Sequence, residues 1–224
     1  MNLPGLITIQ PDQPETLKHA ARVIGEAFME ENWFLTWMSA LDAIGATEER
    51  KRELVVASFE GSFEMHAPYQ AVYATEDLAG IAGAYLASEF SALGAPDHEE
   101  LEERGSELRV EPLLTPEESR LLSEQAERMA PISNFSWAAD HAEGADHIYF
   151  FAWAVDSAKR GSGAFRRLTT PFFDYADAHG INCYLDCYSD MLQSLYEHVG
   201  FELVDVLSDP QFEVTERRMV RRPR

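Results

Sequence analysis

The sequence predicts an α/β fold in which helices cover both faces of a mixed, twisted sheet. Two observations support this fold class. The C-terminal third alternates strand, helix, strand, helix and strand, which is typical of a βαβ unit. Residues 148–155 form the apolar run IYFFAWAV, as expected of a central strand buried on both faces. With 224 residues, the chain is expected to form a single domain.

The N-terminal part is predicted to contain three helices, a strand and a hairpin. Three segments carry apolar residues at helical spacing and are predicted to be helices: 15–28, 33–41 and 48–66. A short strand is predicted over 7–10. The apolar runs 71–75 and 79–87 flank a polar turn and are predicted to pair as a β-hairpin.

A helical insertion is predicted before the central strand, over residues 91–134. The segment is rich in acidic residues and has leucines at helical spacing, which predicts two amphipathic helices separated near 111–116. Thr115 followed by Pro116 is typical of a capped helix start.

The segment after the central strand is predicted to hold two helices and three strands. The first helix covers 163–179 and ends at Gly180, and Pro171 inside it is expected to kink or break it. The other elements are a helix over 191–199 and strands over 181–188, 201–207 and 214–220. Five arginines lie between Arg217 and Arg224, and this tail is interpreted mainly as a solvated end.

Composition excludes several classes of function. The chain has 39 acidic and 18 basic residues, a net charge of −21, which argues against a partner that is nucleic acid or an anionic membrane. Residues 1–14 lack the features of a signal peptide, and no apolar run approaches the length of a membrane helix.

Cysteine and histidine usage predicts neither a disulfide nor a metal site. Cys183 and Cys187 lie on one predicted strand with Cα atoms roughly 13 Å apart, too far for a disulfide. Free thiols favour a reducing cytoplasm. No His/Cys group has metal-ligand spacing, and His141 and His147 are interpreted as surface residues.

The segment 154–167 carries the strongest chemical signal. A glycine-containing turn joins the buried strand to a helix start, whose N–H groups and dipole suit a phosphate. Four basic residues cluster there: Lys159, Arg160, Arg166 and Arg167. A dinucleotide fingerprint would need glycine where Arg166 stands, and the Gly-Lys-Ser/Thr of a nucleotide-binding P-loop is absent.

Taken together, the order of motifs resembles the GNAT superfamily of acetyl-CoA-dependent N-acetyltransferases. The matching segments are the strand 148–155, RGSGAF at 160–165, YLD at 184–186 and YEHVGFE at 196–202. The family signature is Arg or Gln, two residues, Gly, one residue, then Gly or Ala. Arg160 and Gly163 match it, whereas Phe165 occupies the last small position and is expected to crowd the loop. Three features resemble the puromycin-type subgroup: the spacing from Arg160 to Gly180, the proline at Pro171 within the helix, and the helical insertion before the central strand.

This resemblance implies a site for acetyl-CoA as cosubstrate. The backbone of Trp153, Ala154 and Val155 would bind the pantetheine arm. Backbone amides of six residues would hold the pyrophosphate: Arg160, Gly161, Ser162, Gly163, Ala164 and Phe165. Ser189 stands where many relatives have a cofactor-binding Asn.

The resemblance also implies catalytic roles. Tyr196 would protonate the departing thiolate as general acid, and Asp186 would deprotonate the acceptor ammonium as general base. The reserve candidates are Tyr188, Asp190 and Glu89. For the cluster Trp33, Phe34 and Trp37, a helix core is favoured over the wall of an acceptor pocket.

The expected reaction is acetyl transfer to a primary amine of a small molecule by direct attack, without an acyl-enzyme. The acceptor side would come from residues 1–90 and the acetyl-CoA core from 147–207. Two alternatives stay open: a non-catalytic module that binds acyl-CoA, and an enzyme that acetylates proteins or peptides. A homodimer is left open as well.

Overall fold

A computed structural model describes residues 1–134 and 136–224 and contains one mixed sheet of seven strands. In spatial order the strands are β1 (Leu6–Thr8), β2 (Val72–Thr75), β3 (Gly80–Leu86), β4 (His147–Val155), β5 (Asn182–Cys187), β7 (Thr215–Arg221) and β6 (Glu202–Ser208). Only β4 and β5 run parallel; the other neighbours are antiparallel. The predicted fold class is therefore confirmed.

Helices lie in four of the six connections between consecutive strands. They are α1 (Pro14–Phe28), α2 (Asn32–Met38), α3 (Glu48–His66), α4 (Ala87–Ala92), α5 (His98–Arg109), α6 (Pro116–Met129), α7 (Trp137–Ala142), α8 (Ala164–His179) and α9 (Asp190–His198). The sequence pattern does not predict α4 and α7, because six residues are too few to establish a helical period. Within the described residues, no helix combines the length and apolarity needed to cross a bilayer.

Two apolar cores sandwich the sheet. On one face, α1 and α3 contribute Ile24 and Phe63 to a core that includes Ile81 of β3. On the other, α8 contributes Phe172, which packs edge-on against Phe150 of β4. The central strand is thus covered from both sides, as its continuous apolar run predicts.

A β-bulge interrupts the pairing of β3 with β4. Gly83 pairs with Ala152 and Ala84 pairs with Phe150, which leaves Phe151 as an extra residue on β4. Phe150 and Trp153 consequently both belong to the α8 core, although they lie three positions apart in the chain, whereas Phe151 packs on the opposite face. A Cβ at Gly83 would lie 2.3 Å from the Phe151 ring, so glycine is required opposite the bulge.

Capping fixes the predicted helix ends. Thr115 and Glu118 form a reciprocal capping box at the start of α6, as the Thr-Pro sequence predicts. Gly180 ends α8 in the left-handed region at φ +69°. The expected break at Pro171 is wrong: α8 runs through it, because the ring removes a single backbone donor while the helix stays packed on the sheet. A kink at this position stays a prediction.

The interpretation of the arginine tail as a solvated end is also wrong. Most of it forms β7, which lies between β5 and β6. Arg221 is buried and binds Asp177 through two hydrogen bonds of 2.8 Å, with its guanidinium over the Phe173 ring. Charge pairing therefore compensates the burial of this arginine.

Candidate active site

A cleft opens where β4 and β5 diverge. The two strands pair over only three residues, from His147–Asn182 to Tyr149–Tyr184. Beyond that point a cleft of about 680 Å³ separates them, and Trp153, Ala154 and Val155 lie along its wall. The β4 edge that faces the cleft is therefore open to hydrogen bonding, since β3 occupies only the opposite edge.

The glycine turn and the start of α8 close one end of the cleft. Gly161 and Gly163 both have φ +79°, which side chains rarely adopt, and no side chain caps α8. The first N–H groups of this helix are thus available to an anion at the cleft. Ser162 does not line the cleft; its hydroxyl donates to the Lys159 carbonyl at 2.6 Å and tightens the turn.

Basic side chains surround this turn although the chain as a whole is strongly acidic. Lys159, Arg160 and Arg166 line the cleft. The Arg160 guanidinium lies 3.3 Å from a carboxylate oxygen of Glu30, an exposed pair that joins the turn to the segment after α1. Arg167 braces the turn from behind by donating to the Ser162 carbonyl and to Asp77.

Tyr196 is buried in the cleft and held by one hydrogen bond. Its hydroxyl oxygen accepts from the Trp153 indole N–H at 2.7 Å, and indole nitrogen only donates, so the Tyr196 proton is available to another acceptor. Burial raises the pKa of Tyr196 above its usual range, which keeps the group a phenol at neutral pH. Tyr196 therefore presents a fixed proton donor.

Asp186 lines the same cleft from β5 and is half-buried. One carboxylate oxygen accepts from the Tyr149 hydroxyl at 2.8 Å and from the Trp137 indole at 3.3 Å. Burial raises the pKa of Asp186, while these donors act in the opposite direction. The side chain is thus held in a defined orientation and has lost much of its hydration.

A second carboxylate, Glu31, is a site residue that the sequence analysis missed. It lines the cleft as the N-cap of α2, and one of its oxygens accepts from the Trp33 backbone N–H at 2.7 Å. Its other oxygen, Oε1, is buried and has no hydrogen-bond partner among the described residues. Burial, with a smaller contribution from the negative charge of Asp186, raises the pKa of Glu31 to about 7.

Three solved structures at low sequence identity resemble the whole chain. The first, titled histone acetyltransferase HPA2 and related acetyltransferase, from Corynebacterium glutamicum, has TM-score 0.56 at 16% identity and covers 100% of this chain and 98% of that one. A mosquito arylalkylamine N-acetyltransferase like 5b has TM-score 0.53 at 17% identity, covering 97% and 98%. An N-acetyltransferase from Staphylococcus aureus Mu50 has 0.51 at 16%, covering 96% and 98%. No protein-family model and no curated protein matches the sequence.

The chain has the GNAT fold that these solved structures share. In this fold the predicted cofactor-binding segments, 153–155 and 160–165, come together around one cleft, although 161–163 form an exposed turn. The Phe165 ring packs edge-on against Trp153, with 5.5 Å between ring centroids, and belongs to the α8 core. The expectation that Phe165 crowds the loop stays a prediction.

Of the remaining residues that the sequence predicts for the site, some line the cleft and others lie outside it. Ser189 and Tyr188 line the cleft, where the Ser189 hydroxyl caps α9 by accepting from the Leu192 N–H. Asp190 and Glu89 do not line it: Asp190 pairs with Arg217, and Glu89 pairs with the amino terminus.

Two further sequence interpretations concern side chains outside the cleft. Trp33, Phe34 and Trp37 do not line it and pack in the apolar cores, which agrees with the interpretation as core. His141 is exposed as predicted, whereas the surface interpretation of His147 is wrong. His147 is buried at the start of β4 because it packs against Tyr184 of the adjacent strand.

Proposed function

We propose that this chain is an acetyl-CoA-dependent N-acetyltransferase that transfers the acetyl group to a primary amine of a small molecule. The open β4 edge beside the cleft carries this proposal. An extended pantetheine arm fits there as an added strand that bonds Trp153–Val155, a form of β-augmentation. Its pyrophosphate then reaches the uncapped start of α8 and the adjoining Lys159, Arg160 and Arg166.

Tyr196 acts as the general acid in this proposal. The neutral amine nitrogen attacks the thioester carbonyl and a C–N bond forms. The C–S bond then breaks with its electron pair on sulfur, and the nitrogen releases its extra proton to solvent to give the amide. The Tyr196 hydroxyl donates its proton to that sulfur, because Trp153 fixes the oxygen and leaves the hydrogen free to move. Backbone N–H groups of β4 stabilise the oxyanion of the intermediate.

Glu31 acts as the general base that removes the ammonium proton, in place of the Asp186 expected from the resemblance. Its free oxygen and a pKa of about 7 suit proton transfer near neutral pH. Asp186 is a weaker candidate, since Tyr149 and Trp137 already donate to it. Asp186 instead supplies a negative charge that favours the cationic amine at this end of the cleft.

Direct attack is favoured over an acyl-enzyme. Cys187 is the cysteine that lines the cleft, and it is buried. Burial raises the pKa of its thiol to about 12, so the nucleophilic thiolate is scarce at neutral pH.

The test is calorimetric titration with acetyl-CoA followed by thiol-release assays on a panel of amines. The panel includes puromycin, because the motif spacing resembles that subgroup. Arg160→Ala is expected to weaken acetyl-CoA binding, whereas Arg120→Ala, on an exposed face of α6, leaves it unchanged. Absence of binding would contradict the proposal, and binding without transfer to any amine would favour the non-catalytic alternative.

A further inference from the structure

A buried polar cluster lies outside the cleft, between α3 and α5. It consists of His66 on α3 and of His98 and Glu102 on α5, which share one helix face at a spacing of four residues. Both imidazoles are buried, and the Glu102 side chain is 27% exposed. The cluster thus combines two nitrogen ligands with a carboxylate that reaches solvent.

Hydrogen bonding fixes the tautomer of His66. Its Nδ1 lies 2.7 Å from the Ser62 carbonyl oxygen, which can only accept, so Nδ1 carries the proton. The lone pair of His66 is therefore on Nε2, which accepts a hydrogen bond from Nδ1–H of His98 at 2.9 Å. Zinc binding at His98 Nδ1 requires this proton to leave Nδ1. The Ser62 hydroxyl donates to a Glu102 oxygen at 2.6 Å and orients that carboxylate.

The electrostatic environment keeps both rings neutral. Burial lowers the pKa of His66 to about 4 and that of His98 well below its usual value, because an imidazolium would lose its hydration. Burial also raises the pKa of Glu102 to about 7. A bound cation would pair with the ionised Glu102 carboxylate and so offset the cost of burying its charge.

We propose that His66 Nε2, His98 Nδ1 and a Glu102 oxygen bind one Zn²⁺ ion, with a water molecule as the fourth ligand. Two imidazoles and a carboxylate form a known zinc ligand set. The candidate ligand atoms all lie within 4.8 Å of one another. Tetrahedral zinc at ordinary bond lengths separates its ligands by about 3.3 Å, so the Glu102 carboxylate must move toward the two rings by up to about 1.5 Å when the ion binds.

The surrounding backbone holds these ligands in place without the ion. A Cβ at Gly61 would lie 2.1 Å from the Gly105 carbonyl oxygen, so α3 and α5 touch backbone to backbone beside the cluster. The Ser62 carbonyl supplies the hydrogen bond that commonly orients a ligating histidine. The ligands are thus anchored on two rigid helices.

Phe151 separates this site from the cleft. Its ring lies 4.4 Å from the His66 ring and 4.9 Å from the His98 ring, centroid to centroid, and it also lines the cleft. Zinc here would tie the insertion helix α5 to α3 and hold the bulged residue of β4. Its detection does not depend on acetyl transfer.

The test is calorimetric titration of the chelator-treated full chain with Zn²⁺. We expect one zinc per chain and a raised melting temperature. Glu102→Gln keeps an oxygen that accepts from Ser62 but removes the charge, and Ser62→Ala removes the hydroxyl that orients Glu102. Loss of such an orienting partner lowers metal affinity about 10- to 100-fold, and Glu102→Gln is expected to cost at least as much. His198→Ala, at an exposed histidine, is the matched control and is expected to bind like the parent.

Co²⁺ provides a second measurement on the unaltered chain, independent of whether the variants fold. We expect the intense visible bands of tetrahedral Co²⁺, lost on addition of Zn²⁺. Equal zinc affinity in the parent, Glu102→Gln and Ser62→Ala would mean adventitious surface binding and would overturn the proposal. An octahedral Co²⁺ spectrum, or a folded parent that binds no zinc, would overturn it as well.

Discussion

Two carboxylates in one cleft differ in what surrounds their oxygen atoms. The side chains of Tyr149 and Trp137 both donate to one oxygen of Asp186, whereas Glu31 keeps one buried oxygen without a partner among the described residues. A free oxygen with lost hydration binds a proton more readily. This difference makes Glu31, rather than Asp186, the residue whose substitution is expected to change the pH dependence of the proposed reaction.

Glu31→Gln is expected to lower kcat/KM for the amine by about 10²- to 10⁴-fold, because the proton acceptor is lost. In the parent, activity rises with pH as Glu31 ionises at a pKa of about 7, and this limb disappears in the variant. Steady-state kinetics from pH 5.5 to about 9 measure both effects. Glu26→Gln, at an exposed position of α1, is the control. An unchanged pH profile would assign the base to another residue.

Tyr196→Phe is expected to lower kcat while the Kd of acetyl-CoA stays near that of the parent. The same change leaves the buried Trp153 N–H without its acceptor, which costs about 1–3 kcal/mol in the free energy of unfolding. Thiol-release kinetics, calorimetry and urea unfolding measure the three quantities. Tyr69→Phe, at a tyrosine outside the cleft, is the control. Full activity in Tyr196→Phe would exclude it as the acid.

At the scale of elements, the contact of α3 with α5 depends on two facing glycines. Gly61 and Gly105 allow the helix backbones to touch, and the polar cluster of His66, His98 and Glu102 lies beside this contact. One face of α5 therefore packs the insertion closely on α3, while the charged side chains of α5 lie on its opposite, exposed face.

Gly61→Ala tests this packing. The new Cβ would fall 2.1 Å from a backbone oxygen, so the helices must separate, at a cost of about 1–3 kcal/mol or more in the free energy of unfolding. Zinc affinity is expected to fall in the same variant, since its ligands lie on both helices. Arg52→Ala, exposed on α3, is the control for urea unfolding and zinc titration. Parental stability of Gly61→Ala would contradict the close contact.

At the scale of the whole molecule, the buried carboxyl groups and the net charge of −21 both make the free energy of unfolding depend on pH. Burial raises the pKa of Glu31, Glu102 and Glu216 to about 7 each. Glu118 behaves in the opposite way, because Arg50 lowers its pKa to about 2. The folded state therefore holds some protons more tightly than the unfolded state, and others less tightly.

The free energy of unfolding is expected to fall as the pH rises from about 4.5 to about 7. Over this range the three raised glutamates keep protons in the folded state that the unfolded state has released. His66 and His98 act in the opposite direction, because burial lowers their pKa and only the unfolded state protonates them there, so they offset part of the decline. Below about 4.5, Glu118 adds the reverse trend, since its protonation breaks the pair with Arg50. Urea unfolding at a series of pH values, with chelator present, measures the profile.

The double variant Glu31→Gln, Glu102→Gln is the control for this profile. Its surface charge remains, so general repulsion persists, while two of the three raised groups are removed. We expect a clearly shallower decline between pH 4.5 and 7. The same slope in parent and double variant would assign the decline to repulsion alone.

Local patterns in the sequence predicted most elements and the region of the cleft. The apolar run of β4, the cap at Thr115 and the glycines flanking α8 each act through neighbours in the chain, so one sequence suffices to find them. The same is true of the turn at 160–165, whose glycines and basic residues suit a phosphate wherever the fold places them.

The tertiary structure alone decided which charged and polar groups are buried. In the sequence, Glu31 looks like an ordinary helix cap and Arg221 like part of a solvated tail. In the structure both side chains are packed away from solvent. His66 comes to His98 from 32 residues away, through a contact of two helices. Which face of the sheet each β4 side chain points to likewise depends on a bulge, and the bulge is set by the pairing of β4 with β3. Burial and long-range pairing have no local signal, because they arise only when separate segments pack together.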